Sequence, residues 1–332
     1  MPGTTSLKQV AKDIKELKIQ GARKIAKSAV AALVSHAQIS KADDKHELYE
    51  IMLNAAKELE ATRPTEPMMR NALDDALRFT LAWARTHEAK DVSSLKKALL
   101  SHQFSFLSQM DDAILKISKY GAAEIPQGAN ILIHCHSSTT MQILKKAYDE
   151  GKNPNVTCLE TRPLYQGRLS ARELSEYGIA TSLCVDSAAG SIINKMDLVL
   201  TGADALSAEG DLVNKIGTFT LAQLAKLHSV RFLCAAEIFK YDPLTRFGKA
   251  EPIEQRDAKE VWGRGRYRKE EQFLKKYSPL PLPKGIHVLN PAFDRTPAPL
   301  ISAYITEEGL IPPAQLALIA EKKLKGEING KI

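Results

Sequence analysis

The fold turns on the stretch Asn130-Ile131-Leu132-Ile133-His134-Cys135-His136-Ser137-Ser138-Thr139. Its front half is a short apolar run with β-branched residues. Its back half ends in hydroxyl side chains of the kind that start helices. The following segment, Thr139–Glu150, has helical spacing, so the whole reads as strand, turn, helix. The same grammar continues downstream. Strands are expected at Asn130–Cys135, Val156–Glu160, Thr181–Asp186, Asp197–Gly202 and Arg231–Glu237, with Ile286–Asn290 and Leu300–Thr306 as further strand candidates. Helical segments fall between them at Thr139–Glu150, Leu169–Tyr177, Ala188–Lys195 and Asn214–His228. Such alternation builds a parallel sheet wrapped by helices, because each parallel return needs a crossover.

Upstream of residue 120 the pattern is helical. Ile25, Ala29 and Leu33 recur at four-residue spacing, Leu48, Met52, Ala55 and Leu59 repeat the stripe, and Met69, Leu73, Leu77 and Leu81 carry it on. These are the apolar faces of a helical bundle. Thr62-Arg63-Pro64-Thr65-Glu66-Pro67 interrupts them, and its two prolines make it a rigid connection. The expected organisation is α/β: an N-terminal helical domain over 1–120, then a Rossmann-like parallel-sheet domain flanked by helices over 121–332. A charged, Pro-rich excursion occupies 249–284. It contains Gly263-Arg264-Gly265-Arg266-Tyr267-Arg268, read as a solvated basic loop, since a nucleic-acid footprint needs a clustered face and not one short run.

Composition narrows the classes. Over 332 residues, 44% are hydrophobic and 26% charged, which excludes a wholly disordered or rod-like chain. No apolar run reaches the ~18–20 residues needed to cross a bilayer. Met1-Pro2-Gly3-Thr4-Thr5-Ser6-Leu7-Lys8 lacks the apolar core of a secretion signal, so a soluble cytoplasmic protein is expected. The net charge of +7 suits an anionic partner without choosing one. The four cysteines, Cys135, Cys158, Cys184 and Cys234, lie far apart and form neither a disulfide framework nor a zinc ribbon. His134-Cys135-His136 does not make a metal site by itself, because an extended strand would put the two imidazoles on one face and the thiol on the other. No GxGxxG, GxxxxGK[ST] or GxSxG occurs, which argues against a dinucleotide cofactor, a Walker-type NTPase and a nucleophile-elbow hydrolase.

Ligands of open α/β sheets sit beyond the carboxyl ends of the strands. There the sequence places Cys135-His136-Ser137-Ser138-Thr139, Glu160-Thr161-Arg162-Pro163, Asp186-Ser187, Gly202-Ala203-Asp204 and Glu237-Ile238-Phe239-Lys240. Cys135 would stand at the mouth of a helix capped by Ser137, Ser138 or Thr139, where free N–H groups lower a thiol pKa and receive a phosphate. A partly desolvated Asp204 could hold a proton and act as a general acid. Asn214-Lys215, taken as a helix start, and Gly21-Ala22-Arg23, opening the Ile25 helix, offer two further anion sites.

In order along the chain, His134-Cys135-His136-Ser137-Ser138, Glu160-Thr161-Arg162-Pro163-Leu164-Tyr165-Gln166-Gly167, Asp186-Ser187-Ala188-Ala189-Gly190, Gly202-Ala203-Asp204-Ala205 and Asn214-Lys215-Ile216-Gly217-Thr218 resemble the superfamily of translation initiation factor 2B alpha/beta/delta subunits and sugar-1-phosphate isomerases. Arg63-Pro64-Thr65 and Asn290-Pro291-Ala292-Phe293-Asp294 fit the same pattern. The resemblance runs from about residue 20 to 310. It implies catalytic roles for Cys135 and Asp204, since non-catalytic members usually lack one or both. Ser137–Thr140 and Lys240 suit a second phosphate better than a methylthio group. That points to the ribose-1,5-bisphosphate isomerase branch: Cys135 would take the C2 proton and Asp204 would protonate the ring oxygen. Gln20, Gly21, Ala22, Arg23, Arg63, Ser137, Ser138, Thr139, Asn214, Lys215 and Lys240 would hold the substrate, with Arg162 and Gln166 lining or supporting the pocket. The resemblance implies no metal or organic cofactor, and a homo-oligomer, dimer or hexamer. The competing readings are methylthioribose-1-phosphate isomerase and a non-catalytic regulatory subunit that binds initiation factor 2. One departure is Gln20, where many family isomerases carry Arg; Arg23 and Lys24 are the cations that could compensate.

Overall fold

The computed structural model describes residues 6–86, 92–262, 282 and 284–324. Helices come first: α1 Leu7–Lys15, α2 Ala22–Ile39, α3 Lys45–Glu60, α4 Pro67–Thr86 and α5 Val92–Ala123. Their starts follow the sequence. Ser6 accepts from the Gln9 N–H, and Asp44 accepts from the His46 and Glu47 N–H groups, satisfying donors that a helix cannot use internally. The stripes read from the sequence become one core, with Ile25, Leu33, Leu48, Leu59, Met69 and Leu73 fully buried. Helix α5 joins this core to the next. Leu95, Leu99, Phe106 and Met110 pack in the helical core, whereas Ile117 and Ala122 pack under the sheet.

The second half runs β1 Asn130–Ile133, α6 Ser138–Asp149, β2 Asn155–Leu159, α7 Gln166–Tyr177, β3 Ala180–Cys184, α8 Ala189–Ile192, β4 Leu198–Thr201, β5 Ala205–Leu206, β6 Leu212–Lys215, α9 Thr218–Leu227, β7 Arg231–Ala235, α10 Ala258–Trp262, β8 Phe293–Thr296, β9 Ala303–Thr306, β10 Gly309–Ile311 and α11 Leu316–Leu324. The main sheet has the order β10-β9-β7-β4-β1-β2-β3 and is parallel except for β10 on β9. This is the expected α/β class. Apolar clusters cover both faces. Met141, Ile143, Leu144 and Leu174 pack in one, Leu221, Ala222, Leu316 and Ala320 in the other. The order matters for function. From β1 the chain winds outward to β2 and β3, then returns to the other side of β1 with β4, β7 and β9. The direction reverses between β1 and β4, the switch point at which such sheets open a crevice.

Three expectations are corrected. Asn214–His228 is not one helix: Leu212–Lys215 is a strand of a small antiparallel sheet β5-β6-β8, with Asn214 opposite Asp294, and helix α9 begins only at Thr218. Gly217, at φ 102°, makes the turn between them. Ile286–Asn290 is not a strand; Ile286 and Leu289 are exposed, and the nearby pairing belongs to Phe293–Thr296. Ala188–Lys195 is one turn of α-helix between two 3₁₀ turns. Of the charged excursion, 249–262 packs on the protein: the Arg256 N–H donates to Asn290 O at 2.9 Å and the Ala292 N–H to Glu254 O at 2.8 Å. Gly263–Arg268 lies outside the described residues. Among the described residues, no helix is long and apolar enough to cross a membrane.

Candidate active site

Cys135 follows β1 and Asp204 follows β4, so the thiol and the carboxyl stand on the two sides of the switch point. Close backbone approaches pin them there. At Gly202 an added Cβ would lie 2.6 Å from both Cβ and Oγ of Ser137. The residue two before Asp204 therefore rests directly against the residue two after Cys135. On the other side, a Cβ at Gly217 would lie 3.2 Å from His134 Nε2, and that nitrogen is 2.8 Å from Ile216 O. The β6–α9 corner carrying Lys215 is thus held against the residue before Cys135.

Cys135 has φ 67° and Thr161 has φ 63°, the left-handed region that non-glycine residues rarely adopt. Such strain costs about 1–3 kcal/mol each and persists where surrounding bonds over-determine it. The bonds are present. The Cys135 N–H donates to Thr161 Oγ1 at 2.9 Å, and Ser170 Oγ donates to Cys135 O at 3.0 Å. The N–H groups of Thr161 and Arg162 each donate at 2.7 Å to one oxygen of Asp186. The kink also separates the histidines. His134 turns to Ile216, whereas His136 Nδ1 lies 3.0 Å from Ser170 Oγ, so the shared face expected for an extended strand does not exist. Among the described residues, no group of three His, Cys, Asp or Glu side chains could hold a metal ion.

The charges of Cys135, Asp204 and Lys215 act on one another. Burial pushes the Cys135 thiol up to about 11, against the opposing pull of Lys215. The expected thiolate, favoured by a helix N-terminus, is therefore not the resting form: the desolvation outweighs the helix. Burial also raises Asp204, while Lys240, Lys215 and Arg63 pull it down. Lys240 is buried and its Nζ donates to Ala203 O at 2.6 Å, beside Asp204. Helix α4 fixes the turn carrying Lys240, because Asn71 Nδ2 donates to Phe239 O at 2.8 Å and Tyr241 O at 2.7 Å.

The remaining predicted binders divide. Ser137 caps α6, accepting from the Thr140 N–H, and Ser138 lines a cavity of about 350 Å³ with Arg23, Asp111, Ile114, Leu115 and Gln142. Thr139 is buried and does not line that cavity. Arg23 reaches it from the first turn of α2, after Gly21 at φ 86°, and Ala22 is buried below. Arg23 is already paired with Glu237 and, at 2.5 Å, with Asp111. Gln20 is exposed and folds back to donate to Leu17 O at 2.6 Å, so the departure from the family pattern also removes its side chain from the cavity wall. Asn214 is buried, and its amide donates to Thr218 Oγ1 at 3.0 Å, supporting the first turn of α9. Arg162 donates to Tyr165 Oη at 2.6 Å and Val261 O at 3.2 Å, so it ties the 249–262 segment to the sheet edge. Four residues escaped sequence reasoning as site members: Thr161, Asp186, Glu237 and Glu66. The first three were visible as polar strand ends, but their partners were not. Glu66 read only as part of a rigid loop.

A model of the initiation factor 2 subunit family matches residues 18–313. The chain is 39% identical over 306 residues to ribose 1,5-bisphosphate isomerase of Pyrococcus furiosus, covering 92% of this chain and 90% of that one. The solved structure of 5-methylthioribose 1-phosphate isomerase from Pyrococcus horikoshii superposes with TM-score 0.74 at 30% identity, covering 97% of this chain and 88% of that one. Translation initiation factor eIF-2B of Pyrococcus horikoshii superposes with TM-score 0.73 at 25% identity over 93% of this chain and 98% of that one. With the family model spanning residues 18–313 and a 39% identical relative aligned over 92% of the chain, this protein belongs to the initiation factor 2 subunit family.

Proposed function

We propose that this chain is a ribose-1,5-bisphosphate isomerase that makes ribulose 1,5-bisphosphate with Cys135 and Asp204 as its proton-transfer pair. The observation that carries the reading is the meeting of a thiol, a carboxyl and the ammonium of Lys215 at the switch point of the sheet. The 39% identity to an isomerase of that name supports the substrate. In this reading Arg63, Lys240 and Lys215 attract one phosphate, and the Arg23–Ser138 cavity at the start of α6 receives the other. The helical segment, residues 1–120, contributes Gly21–Arg23 and Arg63, and residues 121–332 contribute the rest.

The reaction needs a base at C2 and an acid at the ring oxygen. Cys135 as thiolate takes the C2 proton. The electron pair forms the C1–C2 double bond, the bond from C1 to the ring oxygen breaks, and the Asp204 proton moves to that oxygen. The enol then returns its hydroxyl proton to Asp204 and receives the Cys135 proton at C1, which restores both groups. The step needs Cys135 ionised and Asp204 protonated; because burial pushes the thiol up to about 11, that working state is a minor one. Raising Asp204 enlarges that fraction, which is what burial does.

The reading includes a homo-oligomer working in the cytoplasm, where charged sugar phosphates are retained. The edge strand β3 and the residue after it support it, with Leu183 48% and Val185 51% exposed. The test is turnover: purified protein with ribose 1,5-bisphosphate, followed by phosphorus NMR, beside methylthioribose 1-phosphate. Conversion of the bisphosphate alone is expected. Conversion of the methylthio sugar alone, or of neither sugar together with capture of initiation factor 2, sinks the reading.

A further inference from the structure

Glu66 occupies the residue before Pro67, at the start of α4. The N–H groups of Met69 and Arg70 close onto its carbonyl at 3.1 and 3.3 Å. Helix starts favour Ser, Thr, Asp or Asn, whose short side chains fold back on the first turn. Glu66 does not cap. Its side chain is buried, with 2% exposure, and lies among groups from four parts of the chain. Arg63 comes from its own loop, Asp204 from the β4–β5 turn, Lys240 from the turn after β7, and Glu254 from the segment before α10. Oε1 lies 3.2 Å from Arg63 Nε, a charge contact and not an aligned hydrogen bond. Oε2 is buried and has no hydrogen-bond partner. A carboxyl oxygen left this way is costly unless something else comes to it.

The local charges say what comes. Glu254 is held mainly by Arg256, at 2.9 Å against 3.9 Å to Arg63, so Arg63 and Lys240 chiefly face Glu66 and Asp204. With every group ionised, Arg63, Lys240 and Lys215 outweigh Glu66 and Asp204 by a single charge. With Glu66 protonated the patch is more positive, and Oε2 becomes a donor with no acceptor inside the protein. We propose that Glu66 binds the sugar phosphate as a neutral acid, donating its Oε2 proton to a phosphate oxygen and taking that proton from solvent when it is absent. This rests on the isomerase reading above and makes Glu66 a ligand-contact residue. Burial already pushes its carboxyl up to about 7. A dianion beside Arg63 and Lys240 raises it further, so binding and protonation reinforce each other.

Sulfate is the probe, because it remains a dianion across the range and any proton taken up belongs to the protein. Binding that requires neutral Glu66 weakens as the carboxylate forms. The sulfate Kd should therefore rise by up to about 100-fold from about pH 6 to about pH 9. Glu66→Gln keeps the shape and a donor but cannot ionise, and its Kd should stay flat. Calorimetry of sulfate binding near pH 8, in Tris and in HEPES, should show close to one proton taken up by wild type. That measurement stands alone if the Gln variant does not fold. Parallel wild-type and Glu66→Gln curves, no proton uptake, or no sulfate binding would overturn the proposal. Loss of ribose 1,5-bisphosphate turnover with the sulfate result intact would instead remove only the isomerase reading.

Discussion

The two walls of the site are built by different physics. The sheet edge holds Cys135 and Asp204 with backbone hydrogen bonds, left-handed residues and glycines that let strands touch. The helical wall holds Arg23, Arg63 and Arg70 with carboxylates: Glu237 and Asp111 on the first, Glu66 and Glu254 on the second, Asp242 and Glu251 on the third. Position on the edge is set before any ligand arrives. Charge on the wall is set by a balance that an incoming phosphate must change, displacing or protonating carboxylates. Chemistry therefore belongs to the edge and affinity to the wall, and substitutions should separate the two in kcat and KM.

The sharpest break is at the edge. Cys135→Ser and Asp204→Asn each remove a proton-transfer group without changing size much, and kcat for ribose 1,5-bisphosphate should fall by about 10²–10⁴ with KM within a few-fold. A KM effect of similar size in either variant would contradict the division. Next comes Gly202→Ala. Its methyl would lie 2.6 Å from Ser137, so the strand end or the α6 start must shift. A displaced pair should cost about 10²-fold in kcat, with a lowered Tm from the same clash. On the wall, Arg23→Met should act differently. It removes a cation lining the Ser138 cavity while keeping the stem, so KM should rise about 10-fold with kcat little altered.

What the sequence made legible follows this division. The α/β class, the positions of β1, β2, β3, β4 and β7 to within two residues and the gathering of Cys135, Asp204 and Lys240 at one edge all came from local patterns, because apolar runs and cap residues act over a few positions. The β6 strand was misread because Asn214-Lys215 has no period of its own. Its state is decided by pairing with Phe293–Thr296, about 80 residues away in sequence. The resting thiol was misread for a related reason: a helix mouth is a local feature, whereas desolvation depends on everything packed around it. Gln20 and Glu66 are two sides of one lesson. A side chain's partners from distant parts of the chain decide its role, and Gln20 turned to Leu17 in its own turn while Glu66 turned inward.

The smallest expected effect tests the wall as a store of protons. Arg70 donates to Pro64 O, steadying the loop that carries Arg63 and Glu66, and it also contacts Asp242 at 3.1 Å and Glu251 at 3.5 Å. Burial, with Asp242 adding to it, pushes Glu251 from 4.5 up to about 8. A carboxyl whose folded pKa lies above its unfolded value binds more protons when folded. The stability it lends is complete below about 4.5 and drains away as pH rises through about 8. Wild-type Tm should therefore fall across that window. Glu251→Gln, permanently neutral, should lessen the fall by several degrees, read by calorimetry at several pH values in matched salt. Cys135→Ser at the edge should lack this signature, since the thiol, pushed up to about 11, stays neutral throughout. An unchanged slope in Glu251→Gln would mean that the carboxyl is ionised against Arg70 after all. The helical wall would then be a fixed set of ion pairs, and the contrast with the sheet edge would reduce to one of geometry alone.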